Sequence, residues 1–135
     1  MPGSFFDTNV VVYLASGDAR KADRAQQVLR DGGAISVQVL NETANVIRRK
    51  IGMSWSDTRE FLAGLRALVS VHPVTVETHE MGLMLADRYG LAIYDSMIAA
   101  AALSCDCDTL WSEDMHHGLL IDRRLRILNP FRTTP

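Results

Sequence analysis

The feature that most constrains this chain is an alternation. Short β-like runs recur along its 135 residues, and longer stretches of helical periodicity separate most of them. Ser4–Asp7, Ala34–Val37, Val71–Val76, Thr109–Ser112 and Leu125–Leu128 read as strands. Pro73 removes a ladder donor and so puts its strand at a sheet edge. Asp18–Asp31 reads as a helix with Asp18 as N-cap and Gly32-Gly33 as its stop. Gln38–Ile51 carries Leu40, Ala44, Ile47 and Ile51 on one stripe and ends at Gly52. Trp55–Val69, capped by Ser54 or Ser56, Thr78–Tyr89, ending at Gly90, and the alanine-rich Asp95–Ser104 complete the set. Val10–Ala15 either continues the first strand or opens a helix. Strands joined by helices of this length form right-handed βαβ units. The expected fold class is α/β, with a mostly parallel sheet of about five strands covered on both faces. A chain this long fits one domain, residues 1–135.

Composition narrows the function classes. Hydrophobic residues make up 47% and charged residues 22%, which excludes intrinsic disorder. The longest apolar run, Met97–Leu103, is far shorter than the ~18 residues of a membrane span. The first residues have neither a basic region nor a long apolar stretch, so no secretory signal is expected there. Cys105 and Cys107 do not make a CxxC pair, and we read both as reduced packing thiols of a cytoplasmic protein. Fourteen Lys and Arg against sixteen Asp and Glu give −2, which by itself argues against a nucleic-acid binder. If four acids serve one metal site, fourteen cations face twelve remaining acids, and the balance becomes +2. Net charge therefore does not decide the question.

Four acids fall at one edge of such a sheet. Asp7 ends the first strand, and Asp114 follows the fourth. Asp95 starts a helix, and helix starts lie near strand C-termini in parallel α/β folds. Glu42 sits near the start of the helix after the second strand, about 200° round the wheel from Leu40 at ~100° per residue. Each has an ordinary alternative. Asp95 in a first turn favours the helix dipole, Asp114 can cap a turn, and Glu42 can be a solvated surface acid. Asp7 is harder to dismiss, because it interrupts an apolar run between Phe5-Phe6 and Val10-Val11-Val12. Clustered carboxylates repel, and a hard divalent cation with oxygen ligands resolves that repulsion. Such a site favours metal-assisted phosphodiester hydrolysis.

The residues also resemble a known family. Phe6-Asp7-Thr8-Asn9-Val10 resembles the opening motif of PIN domains. Val39–Val46 with Glu42, Tyr94–Ala101 with Asp95, Asp108–Met115 with Asp114 and the closing run Ile127–Phe131 resemble the motifs that follow. Their order and spacing match over nearly the whole chain. The resemblance implies a three-layer α/β/α sandwich and a metal-dependent endoribonuclease similar to the VapC toxins of toxin–antitoxin pairs. It implies that Asp7, Glu42, Asp95 and Asp114 are catalytic and bind Mg²⁺ or Mn²⁺. Asn9 and Ser112 become polar helpers that orient the acids or metal-bound water, and Glu113 an added neighbouring acid. An RNA substrate, an inhibitory antitoxin protein and a homodimer are the implied partners.

Arg49 lies seven residues beyond Glu42 on the same helical face and is a candidate contact for RNA or for the antitoxin, though a cation also suits a last helical turn. His116-His117 invites a metal reading, but adjacent side chains diverge in regular structure. A phosphatase of the haloacid dehalogenase type also opens with an Asp after a strand. It wants a second acid two residues on, where this chain has Asn9, and a late Lys, whereas the lysines here are Lys21 and Lys50. A catalytically silent, purely interacting domain of the same fold is the other alternative. It gives no reason for keeping four mutually repelling acids.

Overall fold

The structure is a computed structural model and describes residues 3–132. Six strands form one sheet: β1 (Ser4–Phe6), β2 (Ala34–Ser36), β3 (Ser70–His72), β4 (Thr109–Trp111), β5 (Leu120–Ile121) and β6 (Leu125–Leu128). Their order is β3-β2-β1-β4-β6-β5, and every pairing is parallel except that of β5 with β6. Consecutive Phe5 and Phe6 point to opposite faces and are both fully buried, so helices cover both sides. The α/β fold is as expected, with one strand more than expected. The addition is β5, a two-residue strand with no periodicity long enough to read. Asp122 and Arg123, both in the left-handed region, turn it back on β6.

Six α-helices surround the sheet: α1 (Thr8–Val12), α2 (Ala19–Leu29), α3 (Val37–Val46), α4 (Trp55–Leu68), α5 (Val76–Tyr89) and α6 (Ile93–Ser104). Val10–Ala15 resolves as helix: α1 runs into a 3₁₀ turn at Tyr13–Ala15. The N-caps are side-chain oxygens accepting from backbone N–H groups: Asp7 for α1, Asp18 for α2, Ser36 for α3, Ser54 for α4 and Thr75 for α5. Ser36 therefore ends a strand and starts a helix with no loop between. The strand at β3 stops before Pro73, and α5, capped by Thr75, starts at Val76, two residues earlier than the periodicity suggested. The Gln38–Ile51 helix is not uniform. After α3 it widens into a π-helical turn at Ile47–Ile51, closed by Gly52 at φ 75°.

Helix α6 is the central support. Ser96–Leu103 is buried throughout, and its alanines let the helix lie close on the sheet. On its outer side α6 packs against α5, where Gly82 faces Met97. A Cβ at Gly82 would stand 2.4 Å from the Met97 sulfur.

The topology fixes where a site can form. The chain runs outward from β1 to β2 to β3, then returns to place β4 on the other side of β1. The C-terminal ends of β1 and β4 thus flank the point where the winding reverses, and open parallel sheets leave a crevice there.

Candidate active site

Asp7 and Ser112 are the residues immediately beyond β1 and β4. They are held together by the sheet itself, since Asp7 N donates to the Trp111 carbonyl at 2.9 Å. Asp7 is only 4% exposed. Its Oδ1 accepts from Thr8 N at 2.7 Å, capping α1. Its Oδ2 accepts from Ser112 Oγ at 2.7 Å and from Asn9 Nδ2 at 3.2 Å. Ser112 Oγ in turn accepts from Met115 N, and Asn9 Oδ1 accepts from Glu113 N at 3.0 Å. One carboxylate thus ties the β1–α1 junction to the loop after β4.

Glu42 is brought in by α3. Its Oε1 accepts from Thr8 Oγ1 at 2.6 Å, and its Oε2 accepts from Gln38 Nε2 at 3.0 Å. Gln38 Nε2 also donates to the Tyr94 carbonyl at 3.1 Å, which links α3 to the start of α6. Asp95 sits in the first turn of α6, whose N-cap is Ala92 with no capping side chain. Asp114 is exposed beyond β4. A cleft of about 480 Å³ is lined by Asp7, Glu42, Asp95 and Asp114 together with Thr8, Asn9, Val12, Tyr13, Asn45, Val46 and Lys50.

The acids sense one another. Burial pushes the Asp7 carboxyl up to about 6. The Ser112 and Thr8 donors pull against that rise, and the charges of Asp95 and Glu42 add to it. Asp95 is likewise raised, by burial and then by Asp114 and Glu42. Among the described residues, no ion pair offsets any of these four acids, and no three His, Cys, Asp or Glu side chains form a preformed metal cage. The donor set nonetheless suits a hard divalent ion. It is all oxygen, and Mg²⁺ takes only one or two carboxylates and completes its shell with water and phosphate oxygens.

The remaining candidates fall elsewhere. Glu113 turns away from the acids: its Oε1 accepts from Tyr13 Oη at 2.7 Å and its Oε2 pairs with Lys21 Nζ. Arg49 is exposed and does not line the cleft, whereas Lys50 does. The π turn is the reason. Its extra residue per turn shifts the face by one position, so the spacing that points Arg49 at Glu42 in an α-helix serves Lys50 here. His117 Nδ1 accepts from Asn129 N at 2.9 Å and so fastens the turn after β6. Cys107 is buried, with its thiol pushed up to about 11 by that burial. Sequence reasoning passed over Thr8 and Gln38 as partners of Glu42. The signal for Gln38 was its i, i+4 spacing from Glu42. Thr8 had none beyond its place next to Asp7.

The sequence profile described as the PIN domain matches residues 4–118. No curated protein matches the chain by sequence. Among solved structures the chain is similar to VapC20 of Mycobacterium tuberculosis, a sarcin–ricin-loop-cleaving toxin. The identity there is 22%, over 82% of this chain and 89% of that one, with a TM-score of 0.67. It is also similar to a toxin–antitoxin complex from Klebsiella pneumoniae, at 19% identity over 96% and 99% of the two chains, TM-score 0.73. A third is VapBC2 of Rickettsia felis bound to a promoter DNA fragment, at 18% identity over 93% and 97%, TM-score 0.65.

Proposed function

This chain belongs to the PIN domain family, and from that premise we propose that it is a metal-dependent endoribonuclease, the toxin of a toxin–antitoxin pair. The observation that carries the proposal is the convergence of four acids from remote parts of the sequence on one cleft at the reversal point of the sheet. Asp7, Glu42, Asp95 and Asp114 would hold Mg²⁺ or Mn²⁺. When bound, such an ion supplies a more acidic water and neutralises charge on the phosphate and the leaving oxygen. The chain's own part is positioning. Ser112 and Asn9 hold Asp7 in one orientation, and Thr8 and Gln38 do the same for Glu42. Among the described residues Lys50 is the one cation lining the cleft, and it is placed to attract a phosphodiester.

Similarity to a toxin–antitoxin complex and to VapBC complexes supports an antitoxin protein as partner. A homodimer and a cytoplasmic location belong to the same proposal. Among the described residues no helix is long and apolar enough to cross a membrane. The test is cleavage of pooled total RNA by purified protein with Mg²⁺, with Mn²⁺ and with chelator, beside an Asp95→Asn preparation. Metal-dependent cleavage that disappears in the variant supports the proposal. Cleavage that survives both chelator and substitution overturns it. So does the absence of cleavage with antitoxin removed, which would favour the silent interaction module.

A further inference from the structure

A second cavity, of about 490 Å³, lies beside the acidic cleft and has the opposite charge. Arg20, Lys21 and Arg24 of α2 line it with Arg132, and Asp23 is the one acid among its lining residues. This concentration of cations stands out in a chain whose net charge is −2. The two cavities share a wall. Tyr13 lines the acidic cleft and Phe131 lines the basic one, and their rings meet edge to face with centroids 4.8 Å apart. Lys21 stands at the junction, 4.7 Å from the Tyr13 ring centre and 5.2 Å from that of Phe131.

The cations divide by what already engages them. Arg24 Nε donates to the Pro130 carbonyl at 2.6 Å, and Lys21 is paired with Glu113. These two build the wall. Arg20 and Arg132 are exposed, and their guanidinium groups have no hydrogen-bond or ion-pair partner among the described residues. Two unengaged guanidinium groups beside a half-buried aromatic ring match what a single-stranded polynucleotide presents, a phosphate backbone with stackable bases.

We propose that the basic cavity between α2 and the Pro130–Arg132 segment binds the RNA backbone a few nucleotides from the bond held in the acidic cleft, with Arg20 and Arg132 as phosphate contacts. This rests on the nuclease reading for its substrate, but its test does not need cleavage. The probe is a fluorescent single-stranded RNA oligonucleotide titrated with Asp95→Asn protein, which is expected to bind without cutting. The comparison is the same protein carrying Arg20→Glu and Arg132→Glu, with circular dichroism to verify its fold. Affinity should fall about tenfold at low salt, and the slope of log affinity against log salt should drop by about 1.4, at about 0.7 per lost contact on a single strand. Arg20→Ala with Arg132→Ala should lie between the two. A folded charge-reversal variant with unchanged affinity and salt slope overturns the proposal, whatever it does to a protein partner. If such a variant, with Asp95 restored, also cuts RNA normally, the basic cavity fails while the nuclease reading stands. If RNA binds through Arg20 and Arg132 but is never cut, the nuclease reading fails and the cavity remains.

Discussion

Asp7 and Asp114 stand beyond neighbouring strands of one sheet, yet the protein treats them differently. Asp7 is 4% exposed and accepts three hydrogen bonds, from Thr8, Ser112 and Asn9. Asp114 is exposed, and among the described residues no donor meets its carboxylate. Asp95 resembles Asp114 in lacking a partner, while Glu42 resembles Asp7 in having two. One half of the cleft is therefore set by folding. The other half carries charge that only a ligand can order. A site of this kind keeps its reference point rigid and leaves the opposing acids free to adjust as a cation and a phosphate arrive.

The largest expected effect removes the distinction between the halves. Asp7→Asn and Asp95→Asn should each reduce metal-dependent RNA cleavage by about three orders of magnitude. That corresponds to the several kcal/mol of charge stabilisation a catalytic metal supplies. Cleavage rates under single-turnover conditions measure it. If Asp95→Asn cuts normally while Asp7→Asn does not, the ligand-ordered half is not part of the site.

The next effect concerns stability and separates the halves. The Asp7 carboxyl has its value raised from 3.8 to about 6 in the folded protein. The folded state then holds that proton more tightly than the unfolded chain does. The stability this provides is full below about pH 4 and is lost as the pH rises through about 6. Without metal, Asp7→Asn should be more stable than the native protein at pH 7.5 by up to about 3 kcal/mol, and the gap should close toward pH 4. Urea melts of both proteins at several pH values read this difference. Asp95, raised as well but half-buried, should give a smaller gain in the same direction.

Ser112→Ala probes the rigid half alone. It removes the hydroxyl that donates to Asp7 and accepts from Met115 N. Loss of a buried hydrogen bond of this kind should cost about 1–2 kcal/mol of stability. Weakened orientation of Asp7 should lower activity about 10-fold to 100-fold. Because Ser112 holds the Asp7 carboxyl down, its removal should also move the pH profile of cleavage upward. A drop in stability with an unmoved profile would make Ser112 a packing residue only.

Much of this was legible in the sequence, for physical reasons that differ by residue. The strands and helices carry periodicity and caps, and Asp7, Asp95 and Asp114 sit where strands end or helices begin, so topology alone brings them to one edge. The partners of those acids were less visible. Thr8 acts through side-chain geometry that no period encodes, and Gln38 showed only its i, i+4 spacing from Glu42. Glu113 follows Ser112 directly and so shares the motif, but its side chain is claimed by Lys21 and Tyr13, which are remote in sequence. β5 was hidden because a two-residue strand has no pattern. Its existence depends on β6 and on a turn through two residues of positive φ.

The smallest effect tests the local irregularity that sequence spacing did not anticipate. An α-helix through Ile51 would carry Arg49 along the face of Glu42, but the π turn at Ile47–Ile51 brings Lys50 to the cleft instead. Lys50 is exposed and long, so its contact with a phosphate is screened and entropically costly. Lys50→Ala should therefore weaken RNA binding only about threefold, less than about 1 kcal/mol. Arg49→Ala should change it less still. Both belong in the Asp95→Asn background, with one labelled RNA oligonucleotide and salt titrations. If Arg49→Ala has the larger effect, the helix runs on in α geometry when RNA is bound, and the π turn belongs to the free protein alone. If the two are equal, neither side chain reaches the cleft's substrate, and the attraction of the phosphate falls to the metal and to the basic cavity beside Phe131.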